Sequence, residues 1–177
     1  IVNTSTGLTA VPTPKAFDSD LALVNNIIAQ EEALLAFAGQ KGLRLDAEMA
    51  KLRPRKFAEG NEHEIFHSPV AGEILKTTLS GKFGGPRMTP ADYLDRIGRL
   101  NIFSPDLDIR VVGVIQGPNG PQLVTAMKRI RGKHPTESQM VAMLKADGFE
   151  PLGLYSFKNS DGVVMQDATP SIFIVRQ

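Results

Sequence analysis

Two β-rich runs separated by chain-breaking residues constrain this sequence more than any other feature. The first run spans residues 62–66 and the second spans residues 73–77, with Ser68-Pro69 and Gly72 between them. Proline stops a helix from continuing through this segment, and glycine suits a turn. The spacing therefore predicts a β-hairpin whose second strand carries a single lysine, Lys76.

The same segment contains His63-Glu64-Ile65-Phe66-His67, which matches the zinc-protease pattern H-E-x-x-H. That pattern requires a helix, because both histidines must reach one metal ion from adjacent turns. Pro69 would break the supporting turn, and no third ligand follows at the spacing of a metzincin. A strand is therefore expected here and zinc is not. A metalloprotease is therefore the least favoured function for this sequence, after the two that are described below.

Composition limits the partners that this chain can have. Its 177 residues are 42% hydrophobic, which suits one domain with an ordinary core. A net charge of +1 provides no overall field, so neither a nucleic-acid nor a membrane partner is expected. The lack of cysteine favours a cytoplasmic protein. Secretion stays open, because a chain that begins with Ile1 is expected to be processed or a fragment. The oligomeric state is not specified.

The predicted elements alternate between helices and hairpins, which indicates an α+β fold with a mostly antiparallel sheet. Four parts are expected: an extended lead-in at 1–17, a helical extension at 18–58, a sheet with one helix at 59–130, and a reduced second part at 131–177. Capping sequences predict helices after Thr89 and Thr136, and Asn119-Gly120 predicts a hairpin turn. The last predicted strands span 149–158, 162–166 and 172–175.

One acidic residue stands out in the first predicted helix, which spans residues 19–40. Helical spacing places Glu31 inside the apolar stripe, between Ile28 and Leu35. A buried carboxylate needs a cation or several hydrogen-bond donors. Glu31 is therefore a candidate partner of Lys76, and the alternative is a glutamate at the edge of the stripe that reaches water.

Several fragments between residues 59 and 175 follow one another in the order of a known family. Gly60-Asn61-Glu62-His63-Glu64-Ile65-Phe66 resembles a Gly-x-Glu-His-x-Val-Phe strand, and Glu73-Ile74-Leu75-Lys76-Thr77 resembles the lysine-bearing strand that follows it. Asp167-Ala168-Thr169-Pro170 stands where that family carries Asp-Ala-His-Pro-x-Asn. Together these fragments resemble the kinase-like domain of large polyvalent proteins of phages and mobile elements, which is similar to minimal bacterial effector kinases.

The resemblance implies a divergent, reduced protein-kinase-like fold that binds ATP and acts on a protein substrate or partner. Lys76 would contact the α- and β-phosphates, and the backbone near Thr125 and Met127 would hold the adenine. Gly60 would let the hairpin approach phosphate, and Asp167 would be the catalytic carboxylate. The alternatives are ordinary ones: Lys76 reaching water from a strand edge, and Asp167 starting a turn.

Departures from the family pattern bear on activity. Ile172 stands where the family carries a metal-binding asparagine, and no second aspartate follows before Gln177. Dependence on Mg²⁺ is therefore expected to be weak or absent, and the phosphotransferase can be active or a degenerate pseudokinase. The competing function is a non-catalytic interaction module of a larger phage or mobile-element polypeptide.

Overall fold

The computed structural model describes residues 20–85 and 87–175, without the side chains of Asp20, Leu21 and Ile172. The predicted lead-in at 1–17 lies outside the described residues. The chain forms two compact units that divide between Arg129 and Ile130, next to the predicted boundary at 130/131. The α+β class with antiparallel sheets is confirmed.

The first unit contains three helices and a five-stranded antiparallel sheet. The helices are α1 (Asp20–Gln40), α2 (Asp46–Leu52) and α3 (Pro90–Phe103). The strands are β1 (Lys56–Glu59), β2 (His63–His67), β3 (Glu73–Thr78), β4 (Arg110–Gly117) and β5 (Gly120–Lys128), in the order β1-β2-β3-β5-β4. The sheet thus begins at Lys56, within the segment predicted as a helical extension.

The predicted hairpin around Lys76 is present. β2 and β3 pair antiparallel with Ile65 opposite Lys76, and β3 pairs with β5 so that Lys76 is also opposite Thr125. Lys76 therefore lies on a central strand with neighbours on both sides. Position 76 is fixed by the hydrogen-bonded ladders of three strands, which makes it a rigid place for a functional side chain.

Local capping chemistry starts α3 as predicted. The Thr89 hydroxyl accepts a hydrogen bond from the Asp92 amide at 3.2 Å, and the Asp92 carboxylate accepts one from the Thr89 amide at 2.9 Å. This reciprocal arrangement satisfies two of the free amides at the helix start. The helix continues to Phe103.

The buried face of α1 overlaps the predicted apolar stripe only in part. Asn26, Gln30, Leu34 and Ala38 recur every four residues and are buried. In contrast, Ile28 is 47% exposed. The Gln30 side-chain oxygen accepts a hydrogen bond from the Ala91 amide in the first turn of α3, at 3.2 Å. This contact favours a polar residue on the inner face, so tertiary packing overrides the apolar periodicity of the sequence.

The second unit contains α4 (Glu137–Ala146) and a three-stranded antiparallel sheet in the order β6-β7-β8. Its strands are β6 (Phe149–Gly153), β7 (Ser156–Asn159) and β8 (Val164–Met165). The helix begins with the predicted capping box at Thr136 and Gln139. Met140, Leu144, Phe149, Phe157 and Ala168 form its core.

Two strand predictions in the second unit are wrong. The single strand expected at 149–158 is two strands, because the chain turns at Tyr155, whose φ is +55°. The strand expected at 172–175 is a short 3-10 turn, Pro170–Ile172, followed by one bridge between Val175 and Lys133. Pro170 fixes φ and lacks an amide donor, so it favours this turn over a continuous strand.

Among residues 20–85 and 87–175, no helix has both the length and the apolarity needed to cross a bilayer.

Candidate functional site

A cleft in the first unit brings together several residues that the sequence singled out. It lies between the sheet and α3 and has a volume of about 190 Å³. Its lining residues come from β2, β3, β5, α3 and the segments before β2 and β4: Glu62, His63, Lys76, Tyr93, Arg96, Ile97, Leu100, Ile109, Thr125 and Met127. Lys76, Thr125 and Met127, three of the four predicted nucleotide-binding residues, therefore share one cavity.

Lys76 lies in this cleft without a direct counter-charge. Within the described part of the chain, no carboxylate oxygen lies within the 4.0 Å ion-pair distance of its ammonium nitrogen. Burial lowers the pKa of Lys76, the nearby Arg96 lowers it further, and Glu62 acts in the opposite direction. A partly buried ammonium in this position gains most from an anion that enters the cleft.

The mouth of the cleft is formed by an ion pair. Arg96 Nη1 lies 3.0 Å from Glu62 Oε2, and the side chains of Arg96 and Glu62 are 45% and 32% exposed. The pair joins the second turn of α3 to the residue before β2. Together with Lys76, it leaves two cations and one carboxylate at the cleft, so the site carries a net positive charge.

His63 and Tyr93 form a neutral hydrogen-bonded pair deeper in the cleft. His63 Nε2 and the Tyr93 hydroxyl oxygen lie 2.5 Å apart, and Glu62 lies 3.9 Å from His63 Nδ1. We assign the tautomer with Nδ1–H toward Glu62, in which Tyr93 donates to Nε2. Burial lowers the pKa of His63 to about 4, with contributions from Lys76 and Arg96.

Tyr93 is also un-ionised at neutral pH. Burial is the largest effect and raises the pKa of Tyr93 to about 12. Arg96 and a hydrogen bond with the Thr125 side chain lower this pKa, and Glu62 raises it. The hydroxyl therefore remains a hydrogen-bond donor inside the cleft at any physiological pH.

The two histidines of the H-E-x-x-H pattern lie on β2, as the strand prediction required. His67 lies four residues after His63, roughly 13 Å along the extended strand. His67 is exposed and stacks on Phe57 with ring centroids 4.3 Å apart, whereas His63 contacts Tyr93. The helical geometry of a zinc protease is therefore not formed. The described residues also contain no cluster of three or more potential metal-binding His, Cys, Asp or Glu side chains.

Glu31 is not the partner of Lys76. Both Glu31 carboxylate oxygens lie beside the β4–β5 turn, 3.2 Å from where a Cβ on Gly120 would stand. Gly120 begins β5 and lies roughly 16 Å along the strand from Thr125, the residue opposite Lys76. Burial raises the pKa of Glu31. Helical periodicity predicted the side of α1 on which Glu31 lies. It did not predict which end of the sheet Glu31 contacts.

Gly60 does not line the cleft. It is exposed in the turn between β1 and β2, where its amide donates to the carbonyl oxygen of His63 at 2.8 Å. No atom lies within 4 Å of the position that a Cβ would take. The turn places Gly60 near Glu62 at the rim of the cleft, and the space around it gives no steric reason for glycine.

Asp167 lies in the second unit, whereas Lys76 lies in the first. The Asp167 side chain is exposed, and its backbone has a φ of +55°. The Asp167 carbonyl oxygen accepts a hydrogen bond from the Thr169 amide at 2.7 Å, and the following Ala168 is fully buried. These features describe a tight turn, the structural role that the sequence left open for Asp167.

Sequence reasoning missed the polar contribution of α3 to the cleft. Tyr93, Ile97 and Leu100 lie on one face of α3, and all three line the cleft. Arg96, three residues after Tyr93, lies on the flank of the same face and completes the charged mouth. The three-residue spacing of Tyr93 and Arg96 indicates that they lie on the same side of the helix. It does not show which strand they face.

Comparisons with known proteins do not assign the chain to a family. No protein-family model matches the chain, and the curated proteins searched gave no significant match.

Proposed function

We propose that the first unit binds ATP through its phosphates at the Lys76 cleft, as a kinase-like domain with little or no phosphotransfer activity. One observation carries the proposal: Lys76, Thr125 and Met127 line a single cleft in which the lysine ammonium has no carboxylate partner among the described residues. The family resemblance implies contacts with phosphate and adenine for these same three residues.

The charge and the volume of the cleft indicate which part of the nucleotide enters it. Lys76 and Arg96 outnumber Glu62, so the cleft attracts an anion, and an arginine fork suits phosphate oxygens. Its 190 Å³ is below the roughly 300 Å³ at which pockets begin to enclose a whole drug-sized ligand. We therefore place the phosphates inside the cleft and the nucleoside along its edge, near Met127.

The order of elements also supports a kinase-like arrangement. A lysine-bearing strand, a helix and two further strands follow one another as they do around the phosphate-binding lysine of protein kinases. Active kinases pair that lysine with a glutamate from the helix. Here α3 contributes Arg96 to the cleft, and Glu62 forms an ion pair with Arg96. ATP binding is therefore expected without the ion pair that accompanies efficient catalysis.

Two chain features limit the phosphotransfer step. Asp167 is the proposed carboxylate for the acceptor hydroxyl, but its backbone, with a φ of +55°, forms a tight turn, which is a structural role. Ile172 occupies the position at which the family carries a metal-binding amide, and its side chain cannot bind Mg²⁺. We expect binding that depends on Lys76 and only weakly on Mg²⁺, with slow transfer at most.

Isothermal titration calorimetry with ATP, in the presence and absence of Mg²⁺, tests the proposal. Lys76→Ala should weaken binding at least about tenfold, a loss of ~1.4 kcal/mol or more. Lys158→Ala is the matched control, because Lys158 is an exposed strand lysine in the other unit. Equal affinities for wild type and Lys76→Ala would contradict the proposal. Rapid Mg²⁺-dependent turnover would contradict its degenerate character.

Exposed apolar residues favour an interaction module as the second candidate function. Leu152 and Leu154, at the β6–β7 turn, are 60% and 82% exposed. A contiguous exposed apolar patch marks a protein-binding surface, and these two leucines lie two residues apart at one turn. Light scattering over a concentration series tests self-association through this turn. Association that Leu154→Ser abolishes would support the candidate, and a monomer at all concentrations would exclude self-association.

A further inference from the structure

The surroundings of Lys76 suit a chemical role as well as an electrostatic one. Its side chain is partly buried on a central strand, with Ile97 and Leu100 on the opposite wall of the cleft and Arg96 at the mouth. We propose that Lys76 is an imine-forming residue that condenses with a small carbonyl compound bearing a carboxylate, the class of 2-oxo and aldehydo acids. This reaction uses the same cleft but does not require that ATP binds there.

Two surroundings raise the fraction of a lysine that is present as the nucleophilic free amine: desolvation and a neighbouring cation. Lys76 has both, from burial and from Arg96. Lys56 on β1 is the natural contrast. Its ammonium lies 2.7 Å from Glu59 and 3.0 Å from Glu64, which raise its pKa. Lys76 should therefore have a larger fraction of free amine than Lys56, because burial and a cation surround the first and two carboxylates surround the second.

The chemistry of the cleft selects the substrate class. Arg96 is exposed enough to bind an incoming carboxylate through its guanidinium fork, while its pairing with Glu62 holds it at the mouth. Ile97 and Leu100 give the opposite wall of the cleft an apolar surface. A volume of about 190 Å³ suits a small acid and lies below the roughly 300 Å³ at which pockets begin to enclose a drug-sized ligand.

The reaction balances with the groups present. The free Lys76 nitrogen attacks the carbonyl carbon, and a proton moves from nitrogen to oxygen to give a carbinolamine. Loss of water then forms the imine. The neutral Tyr93–His63 pair lines the same cleft, so its hydrogen bond provides a relay for these proton transfers. In the test, hydride from cyanoborohydride reduces the imine carbon and water supplies a proton to nitrogen, which leaves a stable secondary amine.

Reductive labelling of the full chain tests the proposal. The protein is incubated at pH 7 with glyoxylate and sodium cyanoborohydride, and the carboxymethylation of each lysine is followed over time by peptide mass spectrometry. Lys76 should be labelled at least about tenfold faster than Lys56 and Lys158. Labelling of Lys76 that is no faster than that of these two lysines would overturn the proposal.

A second variant separates reactivity from mere access. Arg96→Gln removes the cation that lowers the Lys76 pKa, so labelling should slow several-fold at pH 7 and its pH profile should move to higher pH. Arg96→Lys retains a cation and should restore part of the rate. A pH profile that is the same in wild type and Arg96→Gln would contradict the assigned role of Arg96. Circular dichroism confirms that each variant is folded.

ATP added as a competitor distinguishes imine formation at Lys76 from ATP binding in the same cleft. Selective labelling of Lys76 that ATP suppresses would support both. Selective labelling unaffected by saturating ATP would support imine formation and contradict ATP binding at the cleft. ATP binding by calorimetry without selective labelling would support the nucleotide site and overturn the imine.

Discussion

Glu62 pairs with Arg96 and not with Lys76. The Glu62 Oε2 to Arg96 Nη1 distance is 3.0 Å, while none of the described carboxylates comes within 4.0 Å of the Lys76 ammonium nitrogen. The helix that follows the lysine-bearing strand thus contributes a cation to the cleft. This relationship leaves Lys76 available to a ligand, and it determines how the charge of the site responds to mutation.

Removal of the Glu62 charge should strengthen anion binding. In Glu62→Gln the cleft retains two cations without a carboxylate, so ATP affinity should rise about three- to tenfold, near 1 kcal/mol. Calorimetry at low ionic strength measures this change. Glu59→Gln is the control, because Glu59 pairs with Lys56 outside the cleft and its loss should leave affinity unchanged. Weaker ATP binding in Glu62→Gln would show that Glu62 positions Arg96 for the ligand.

His63 should make the protein less stable in mild acid. Its folded-state pKa of about 4 lies below the ordinary value of 6.5, so the unfolded chain binds more protons between these pH values. Its contribution is fully present above pH 6.5 and is lost as pH falls toward 4, by about 3 kcal/mol at most.

Urea unfolding at pH 7 and pH 4.5 measures this loss. His63→Gln should lose about 2 kcal/mol less than wild type over that interval, because glutamine does not titrate. His67→Gln, which replaces an exposed histidine of the same strand, is the matched control. If the two variants show the same pH dependence, His63 is not the titrating group.

A buried amide on α1 should matter more than an exposed isoleucine. Gln30 is 1% exposed and accepts from the Ala91 amide, so Gln30→Ala leaves that donor without its partner and should cost about 1–3 kcal/mol. Ile28 is 47% exposed, and Ile28→Ala should cost less than about 1 kcal/mol. Chemical denaturation compares the two. A larger loss for Ile28→Ala would contradict the observed face of α1.

Two glycines of the first unit should respond to alanine in opposite directions. A Cβ at Gly113 would stand 2.5 Å from Leu45 Cδ1 and 2.6 Å from the Leu43 carbonyl oxygen, so Gly113→Ala should cost about 1–3 kcal/mol. Gly98 lies inside α3 with nothing within 4 Å of its added Cβ, and Gly98→Ala should gain about 0.5–1 kcal/mol. Thermal unfolding measures whether each variant is less or more stable than wild type.

Local chemistry in the sequence was enough to predict several elements. Pro69 and Gly72 specified the hairpin that carries Lys76, because a proline excludes a helix and a glycine permits the turn. The capping sequences at Thr89 and Thr136 specified two helix starts, because each cap is made within four consecutive residues. Such features depend on neighbours along the chain, so they can be read without knowledge of the fold.

The surroundings of each side chain were decided only by tertiary structure. Periodicity placed Glu31 on the inner side of α1, but the packing of α1 set it beside Gly120 and away from Lys76. The sequence identified Lys76, yet only the folded sheet and α3 brought Arg96, Tyr93 and His63 to the same cleft. These residues are far apart in sequence. Their mutual charges and burial, and hence the reactivity of Lys76, arise from contacts that no local pattern encodes.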